Sequence, residues 1–383
     1  MDNTSKDHPG YRQAFLDWLA CAWAGRNERA PKASRANRDD RVASLAVSGH
    51  VLDFDDTYGP GLAHLSAPTA PAALVLGATT GTTMGRVLDA YTAGFEAMGA
   101  LARAGHPDLY ERGWHPTAVT GTVGAATAAA HLFGFDEART RVARQLAILG
   151  AGGLQAAFGS DGKSLQVGMA AAQGVRAAVL AGQGGIATRR IEEAYETVYG
   201  GHWEVAGSEP AIEQNWIKAF PCCLQTHSSI EAAEQAAQGG ADPDGRGVVT
   251  VHRRSRQAAP LDDVTTGLEA KFSIPYTVAF TLLHGAPTVE DFVAVDEGAR
   301  RVASCIEVQL DDRLDQAAAV LSWHGAHDPI EIRVEAARGS PPRPMSNDQL
   351  RAKVHALAGT RFDGVLDDPE RPAADVLARV EEQ

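Results

Sequence analysis

Two patterns of apolar residues divide the chain. From Tyr11 to about Gln183, apolar residues recur at helical spacing in Ala-rich segments that Gly, Pro and Asp separate. The clearest segments are residues 87–104, 116–133 and 138–158. No convincing run of alternating residues interrupts them, and their small side chains allow helix backbones to approach closely. This part of the sequence predicts a compact α-helical bundle.

The pattern changes after Lys218. Four short segments are β-branched or alternate between apolar and polar residues, and they predict strands at 248–252, 306–310, 320–323 and 330–334. Helical segments lie between them at about 226–238, 276–285 and 289–303. This part predicts a small α/β domain. A Pro-rich stretch at 338–344 ends it, and Ser346 with Gln349 has the spacing of a capping box that begins another helix.

Composition narrows the possible partners. The 383 residues, 44% of them hydrophobic, are enough for one large core or two domains. The net charge of −13 argues against nucleic acid or an anionic membrane as a partner, so a small anionic substrate would need a local basic pocket. The apolar stretches are too short to span a bilayer, and residues 1–7 contain no apolar signal region. We therefore expect a cytoplasmic protein.

The cysteines and the short motifs give no sign of a cofactor. The four cysteines are few for this length, so no disulfide framework is indicated. Cys222, Cys223 and His227 could bind a metal, but a fourth ligand and the usual gap between cysteines are missing. Asp55 and Asp56 are more typical of an exposed acidic turn than of a metal site. There is no phosphate loop, dinucleotide fingerprint or nucleophile elbow. We predict that the protein needs neither metal nor cofactor.

The stretch from Arg112 to Gly121 is the most informative one for chemistry. Pro116 suits the first turn of a helix, so His115 should lie at or just before the N-cap. Imidazole titrates near neutral pH, which makes His115 a candidate general base or acid. Arg112 could clamp a substrate carboxylate with its planar guanidinium. The alternatives are a turn histidine bonded to a carbonyl and a solvated arginine.

This stretch, together with residues 51–57, 218–223 and 272–276, resembles the MmgE/PrpD family. That family includes 2-methylcitrate dehydratase, cis-aconitate decarboxylase and iminodisuccinate epimerase. The similarity runs from about Tyr11 to at least His284, with its blocks in the family's order. The resemblance implies a mainly α protein. Its helical domain would comprise residues 1–218 and 344–383, and an α/β lid, residues 219–343, would be inserted from the middle. A site between the two domains and a homodimer are implied as well.

The first half of the chain supplies four further candidates. His64 follows a loop rich in Gly and Pro, although the family usually has His-Pro-Ser where this chain has Leu65 next. Asp53 and Asp56, with the neighbouring Asp55, could orient His64 or hold a substrate hydroxyl. Lys163 could project its ammonium toward an anion at a helix start. The alternatives are a solvated side chain for Lys163 and an exposed acidic turn for the aspartates.

Gln166 is a departure from the family. Members that resemble this chain have a histidine three residues after the lysine, and here that position is Gln166. An amide can form hydrogen bonds but cannot titrate. A mechanism that requires a third histidine at this position is therefore in doubt, and we expect Gln166 to bind substrate instead.

The second half contributes residues around the domain junction. Lys218 lies where the helical domain ends, so it could couple carboxylate binding to closure. His227 could cap the next helix or contact substrate. The resemblance makes Tyr276 a candidate acid or orienting group, although packing alone could explain a buried tyrosine. Lys271 is a weaker candidate.

Together these residues favour proton transfer beside a carboxylate. We predict a cofactor-independent lyase of dehydratase type that acts on a small hydroxy-di- or tricarboxylate. In this hypothesis His115 moves the α-proton, Lys163, Lys218 and Arg112 neutralise carboxylates, and His64 or Tyr276 serves the opposite face. Decarboxylation and epimerisation are the alternatives, and the Arg-Gly-Trp-His-Pro-Thr stretch is closer to that branch of the family. A non-catalytic binding or scaffold protein is an alternative of a different class.

Overall fold

The computed structural model describes residues 8–36, 40–326 and 328–382. They form two compact units, the larger within residues 1–157, 161–217 and 346–383, and the smaller within 158–160 and 218–345. Residues 1–7, on which the prediction about a signal region rests, lie outside the described residues. In the described ranges, every helix is too short or too polar to cross a bilayer.

Helices dominate the larger unit. Its helices before the smaller unit are α1 (Pro9–Gly25), α2 (Arg29–Ser34), α3 (Arg41–His50), α4 (Ser66–Thr79), α5 (Met84–Gly105), α6 (Asp108–Glu111), α7 (Pro116–Leu132), α8 (Glu137–Ile148), α9 (Gly162–Gly182) and α10 (Arg190–Tyr199). Two short strands, β1 (Thr57–Tyr58) and β2 (Asn215–Trp216), pair antiparallel. The predicted helix at 138–158 is too long, because α8 ends at Ile148. The glycines at 150, 152 and 153 that follow disfavour helix.

Helix α7 lies at the centre of the larger unit. It packs against α4, α5, α8 and α9, and its small residues are buried around most of its circumference. A Cβ atom on Gly94 of α5 would lie 2.6 Å from the carbonyl oxygen of Gly124 of α7. The two helices can therefore approach this closely only because glycine is present. The Ala- and Gly-rich composition of α7 is thus a packing requirement.

The smaller unit combines helices with a mixed sheet. Its helices are α11 (His227–Gln238), α12 (Arg253–Ala258), α13 (Gly267–Ala270), α14 (Ile274–His284) and α15 (Glu297–Ala303), and its strands are β3 (Arg246–Val251), β4 (Ile306–Leu310), β5 (Ala319–His324) and β6 (Ile330–Val334). The strand order is β4-β3-β5-β6, with β3 and β4 parallel and the other pairs antiparallel. The predicted helix at 289–303 is too long, because Asp296 caps α15 and only a single 3-10 turn precedes it.

The C-terminal segment belongs to the larger unit. It forms α16 (Asn347–Ala358) and α17 (Ala373–Glu381), and these pack against α1 and α4. The predicted capping box is present, because Ser346 and Gln349 bond each other's backbone amides. The described chain confirms the prediction of a mainly helical protein with a small mixed sheet.

Candidate active site

Three buried imidazoles lie together in the larger unit. His50 is the last residue of α3, His64 lies just before α4, and His115 is the N-cap of α7. The ring centroids of His50 and His64 are 4.5 Å apart, and those of His50 and His115 are 6.1 Å apart. The exposed fractions are 1%, 7% and 1%. The ends of three helices therefore bring three titratable rings into the interior.

Asp55 joins two of these rings. Its Oδ2 atom lies 2.9 Å from Nδ1 of His50 and 3.2 Å from Nδ1 of His64. Burial alone would raise the pKa of Asp55, but the two rings hold this pKa well below its usual value. Burial lowers the pKa of His50, and the charge of Asp55 opposes that shift. Asp55 is therefore a buried carboxylate that orients both imidazoles.

Asp53 and Lys163 form a buried ion pair beside His64. The Nζ atom of Lys163, in the first turn of α9, donates to Oδ1 of Asp53 at 2.6 Å. The same Oδ1 atom lies 3.7 Å from Nε2 of His64. Asp53 adopts φ 53°, a left-handed conformation that costs a non-glycine residue on the order of 1 kcal/mol or more. In this strained backbone conformation, the Asp53 carboxylate faces Lys163 and His64.

His115 is held at the start of α7 as the sequence predicts. Its backbone N–H donates to the carbonyl of Gly153 at 2.9 Å, and the Nδ1 atom of its ring lies 2.6 Å from Nε2 of Gln166. Gly153 has φ 116°, and a Cβ there would lie 2.6 Å from Cβ of Ala118. Burial, followed by the charge of Lys163, holds the pKa of His115 well below its usual value. His115 is therefore a neutral ring at neutral pH.

A metal ion is one conceivable occupant of this cluster. The ligand atoms of His50, Asp55 and His64 all lie within 4.8 Å of one another. Both rings are nevertheless at hydrogen-bonding distance from Asp55, which gives this carboxylate two donors without an ion. We therefore describe the group as a hydrogen-bonded cluster. In the described part of the chain, Cys222, Cys223 and His227 do not form a comparable group.

The structure brings together five of the predicted site residues and adds two that the prediction did not include. His64, His115, Lys163, Asp53 and Gln166 lie within this one cluster. His50 was missed altogether, and Asp55 was considered as a residue that could orient His64 or bind a metal but was not chosen as a site residue. Nothing local in the sequence marks His50, which is the last residue of α3 and meets Asp55 only through the fold of the following loop. We refer below to these seven residues as the imidazole cluster.

Asp56, a predicted substrate ligand, lies in a different environment. It is fully buried, and burial, followed by the charges of Asp55 and Asp17, raises its pKa to about 8 despite the nearby Ser66 and Asn215. Such a carboxyl group is protonated at neutral pH. Asp56 is therefore an interior polar residue of the loop between α3 and α4.

Arg112, the predicted carboxylate clamp, contacts a helix end. Its guanidinium donates to the carbonyls of Thr197 and Val198 at 3.0 and 3.2 Å, near the C-terminus of α10. Cations are favourable there because the last carbonyls of a helix lack partners. These contacts fix α10 and are separate from the imidazole cluster.

The remaining predicted residues belong to the smaller unit. Lys271 and Lys218 are buried, and they donate to the carbonyls of Pro221 and Cys222 at 3.0 and 2.9 Å. His227 begins α11, and its ring lies 5.1 Å from that of Phe220. The hydroxyl of Tyr276 accepts from the N–H of Asp296 at 2.9 Å. Within this unit, the two lysines converge on the turn at residues 220–223.

Comparison with known proteins identifies the family. The sequence matches the MmgE/PrpD N-terminal domain over residues 42–206 and the MmgE/PrpD C-terminal domain over residues 220–378. The chain therefore belongs to the MmgE/PrpD family.

Three relatives are named for one activity. Mouse cis-aconitate decarboxylase is 28% identical over 351 residues, which cover 82% of this chain and 70% of that protein. The human cis-aconitate decarboxylase is 30% identical over 202 residues, 49% of this chain and 42% of its own length. The cis-aconitate decarboxylase-like protein oryM of Aspergillus oryzae is 26% identical, over 72% of this chain and 65% of its own length. The matched regions thus span less than two thirds of the human and fungal proteins.

Proposed function

We propose that this protein is a cofactor-independent lyase that decarboxylates a small unsaturated di- or tricarboxylate, with cis-aconitate as the first substrate to test. The observation that carries the proposal is the imidazole cluster, in which three buried rings, one of them the neutral His115, lie beside the Lys163–Asp53 pair. The names of the three relatives support decarboxylation over the other reactions of the family.

The reaction requires a proton donor and a cation. When the bond to the departing carboxylate breaks, carbon dioxide leaves and the electron pair of that bond forms a new carbon–carbon double bond. The electron pair of the original double bond is displaced to its far carbon atom, which takes a proton from the enzyme. In this proposal Lys163, in the first turn of α9, stabilises the negative charge that develops on a remaining carboxylate during this shift. His115 and His64 are the two candidates for the proton donor.

Dehydration is a second candidate, because the cluster contains two imidazoles in different environments. Loss of water from a hydroxy acid needs a base for the α-proton and an acid for the departing hydroxyl. His64 contacts a carboxylate, whereas His115 contacts an amide. Such a pair could supply both roles.

One experiment separates these reactions. The purified protein is incubated in deuterium oxide with cis-aconitate, citrate, 2-methylcitrate and malate, and proton NMR records product and deuterium incorporation. A decarboxylase releases carbon dioxide from cis-aconitate and leaves one solvent deuteron in the product. A dehydratase converts a hydroxy acid without loss of carbon. A protein that binds these acids without turnover or exchange would be a binding protein, which would contradict the proposal.

A further inference from the structure

The orientation of the Gln166 amide is fixed by the main chain. The N–H of Leu154 donates to Oε1 of Gln166 at 2.9 Å, and the carbonyl of Leu154 accepts from Nε2 at 3.2 Å. If the two ends of the amide were exchanged, two donors would face each other at the Leu154 N–H and two acceptors would face each other at the Leu154 carbonyl. The backbone of Leu154 therefore determines which end of the side chain is the donor.

This orientation determines where His115 carries its proton. The Nε2 atom of Gln166 lies 2.6 Å from Nδ1 of His115, and an amide nitrogen can only donate. Nδ1 of His115 must therefore accept, so the neutral ring carries its proton on Nε2. A proton on Nδ1 would place two N–H groups against each other in a buried site, which costs the hydrogen bond and adds repulsion. Gln166 thus disfavours both the other tautomer and the imidazolium.

His64 has the opposite arrangement. Its Nδ1 atom lies 3.2 Å from Oδ2 of Asp55, and an ionised carboxylate can only accept. The Thr57 hydroxyl, 3.4 Å from the same nitrogen, can accept as well. Nδ1 of His64 therefore carries the proton, and the neutral ring has its lone pair on Nε2. If Nε2 takes a proton, the imidazolium lies between Asp55 and Asp53, whose Oδ1 atom is 3.7 Å away.

We propose that Gln166 is a positioning residue that fixes the Nε2–H of His115 as a hydrogen-bond donor to the substrate, while Asp55 leaves Nε2 of His64 as the atom that accepts or returns the proton. The use of these two groups in turnover rests on the proposed function. The assignment of tautomers rests on hydrogen-bond geometry alone. It explains why an amide can replace a titratable residue at position 166, because the task there is to donate one hydrogen bond.

The first test reads the tautomers directly. The full-length protein is labelled with 15N-histidine, and the His115 signals are assigned by their loss in His115→Asn. Nitrogen chemical shifts distinguish a protonated from an unprotonated ring nitrogen. We expect a protonated Nε2 and an unprotonated Nδ1 in the wild type at neutral pH. In Gln166→Glu, whose carboxylate accepts, we expect the proton to move to Nδ1 or the ring to become doubly protonated.

The second test measures turnover on the substrate that the deuterium experiment identifies. Gln166→Leu removes the donor with little change in volume, so kcat should fall about 10²-fold while KM changes little. Gln166→His can again donate and should recover part of kcat. Gln173→Leu is the matched control, because Gln173 is a half-buried glutamine two turns further along α9 that packs over Gly150. Thermal unfolding establishes that each variant is folded.

The outcomes separate the inference from the proposed function. A proton on Nδ1 of His115 in the wild type would overturn the inference, as would an unchanged tautomer in both Gln166→Leu and Gln166→Glu. A kcat loss in Gln166→Leu no larger than in Gln173→Leu would also overturn it. If the tautomers are as expected but no carboxylate is turned over, the proposed function fails and the positioning role of Gln166 stands.

Discussion

At the scale of single residues, the cluster shows how neighbours make two identical side chains chemically different. His64 and His115 are both buried imidazoles, but one Nδ1 atom meets a carboxylate and the other meets an amide donor. Opposite hydrogen-bond partners give opposite tautomers, so Nε2 is a donor in His115 and an acceptor in His64. An active site that moves protons needs two groups with different roles of this kind.

His115→Asn should lower kcat by about 10²- to 10³-fold, because a positioned hydrogen-bond donor to the developing negative charge contributes that much to the rate. Asn can keep a polar contact with Gln166, so the fold should survive. Steady-state kinetics with the substrate identified by NMR measure the effect. His131→Asn, near the other end of α7, is the control and should keep its activity. Turnover near the wild-type rate in folded His115→Asn would remove this residue from the mechanism.

Asp56→Asn should change how stability depends on pH. The pKa of Asp56 is about 8 in the folded chain, whereas an unfolded aspartate titrates near 3.8. Between these values the unfolded chain has lost a proton that the folded chain keeps, so stability falls as pH rises through this window. The asparagine variant does not lose stability in this way as the pH rises. Its stability relative to wild type should increase between pH 5 and pH 8 by on the order of a few kcal/mol.

Thermal unfolding at several pH values measures this difference. Asp89→Asn, on the exposed face of α5, is the control, because it removes a carboxylate that solvent already surrounds. Parallel pH profiles for Asp56→Asn and wild type would show that Asp56 is ionised in the folded protein.

The sequence was informative about residues whose roles follow from local position. Pro116 predicts His115 as an N-cap, and the glycines before α9 predict Lys163 in its first turn. His50 carries no such local signal, because it is the last residue of an ordinary helix and gains its role only when α3 packs near α4 and α7. The environment of Asp56 likewise depends on groups from α1 and α4 that no spacing rule connects.

At the scale of elements, the C-terminal helix α16 supports the loop that carries Asp53 and Asp55. Lys353 of α16 is buried and forms an ion pair with Asp17 of α1 at 2.6 Å. It also donates to the carbonyl of Phe54 at 2.8 Å and lies 3.8 Å from the centre of the Phe54 ring. One lysine therefore joins two helices to the loop between Asp53 and Asp55.

Lys353→Met should destabilise the larger unit by about 3–5 kcal/mol, because it leaves the charge of Asp17 buried without its partner. Thermal unfolding measures this as a lower Tm. The double variant Asp17→Leu, Lys353→Met should recover part of the loss, since it removes both charges. Arg351→Met, an exposed cation on the same helix, is the control. A Tm equal to that of the control would contradict the proposed support of the loop by α16.

Element boundaries were predictable where the sequence carries its own stop signal. Ser346 and Gln349 begin α16 as a capping box, and β4 and β6 have the bounds that alternation predicts. The predicted helices at 138–158 and 289–303 extended too far, because apolar residues continue past each helix end. Backbone hydrogen bonding ends α8 at Ile148, and a side-chain cap starts α15 only at Asp296.

At the scale of the whole molecule, the larger unit presents an apolar surface on α9. Met169 and Leu180 are 68% and 52% exposed, and they lie three turns apart on one side of the helix. Val179 and Leu149 add 43% and 65% exposed apolar side chains on α9 and at the end of α8. Exposed apolar groups on one side of a helix are typical of an interaction surface. A second copy of this chain is the partner we expect, because the family resemblance implies a homodimer.

The double variant Met169→Asp, Leu180→Asp should convert a wild-type dimer into a monomer, because the interface would have to bury two charges in each copy without partners. Light scattering coupled to size-exclusion chromatography gives the mass of each, at several concentrations. Val293→Asp is the matched control, since Val293 is 81% exposed and belongs to the smaller unit. A monomeric wild type, or a dimer that persists in the double variant, would show that α9 is not the interface. A single cooperative unfolding transition in the double variant would establish that the loss of mass reflects dissociation of a folded chain. Turnover by this monomer would then show whether the imidazole cluster works within a single chain.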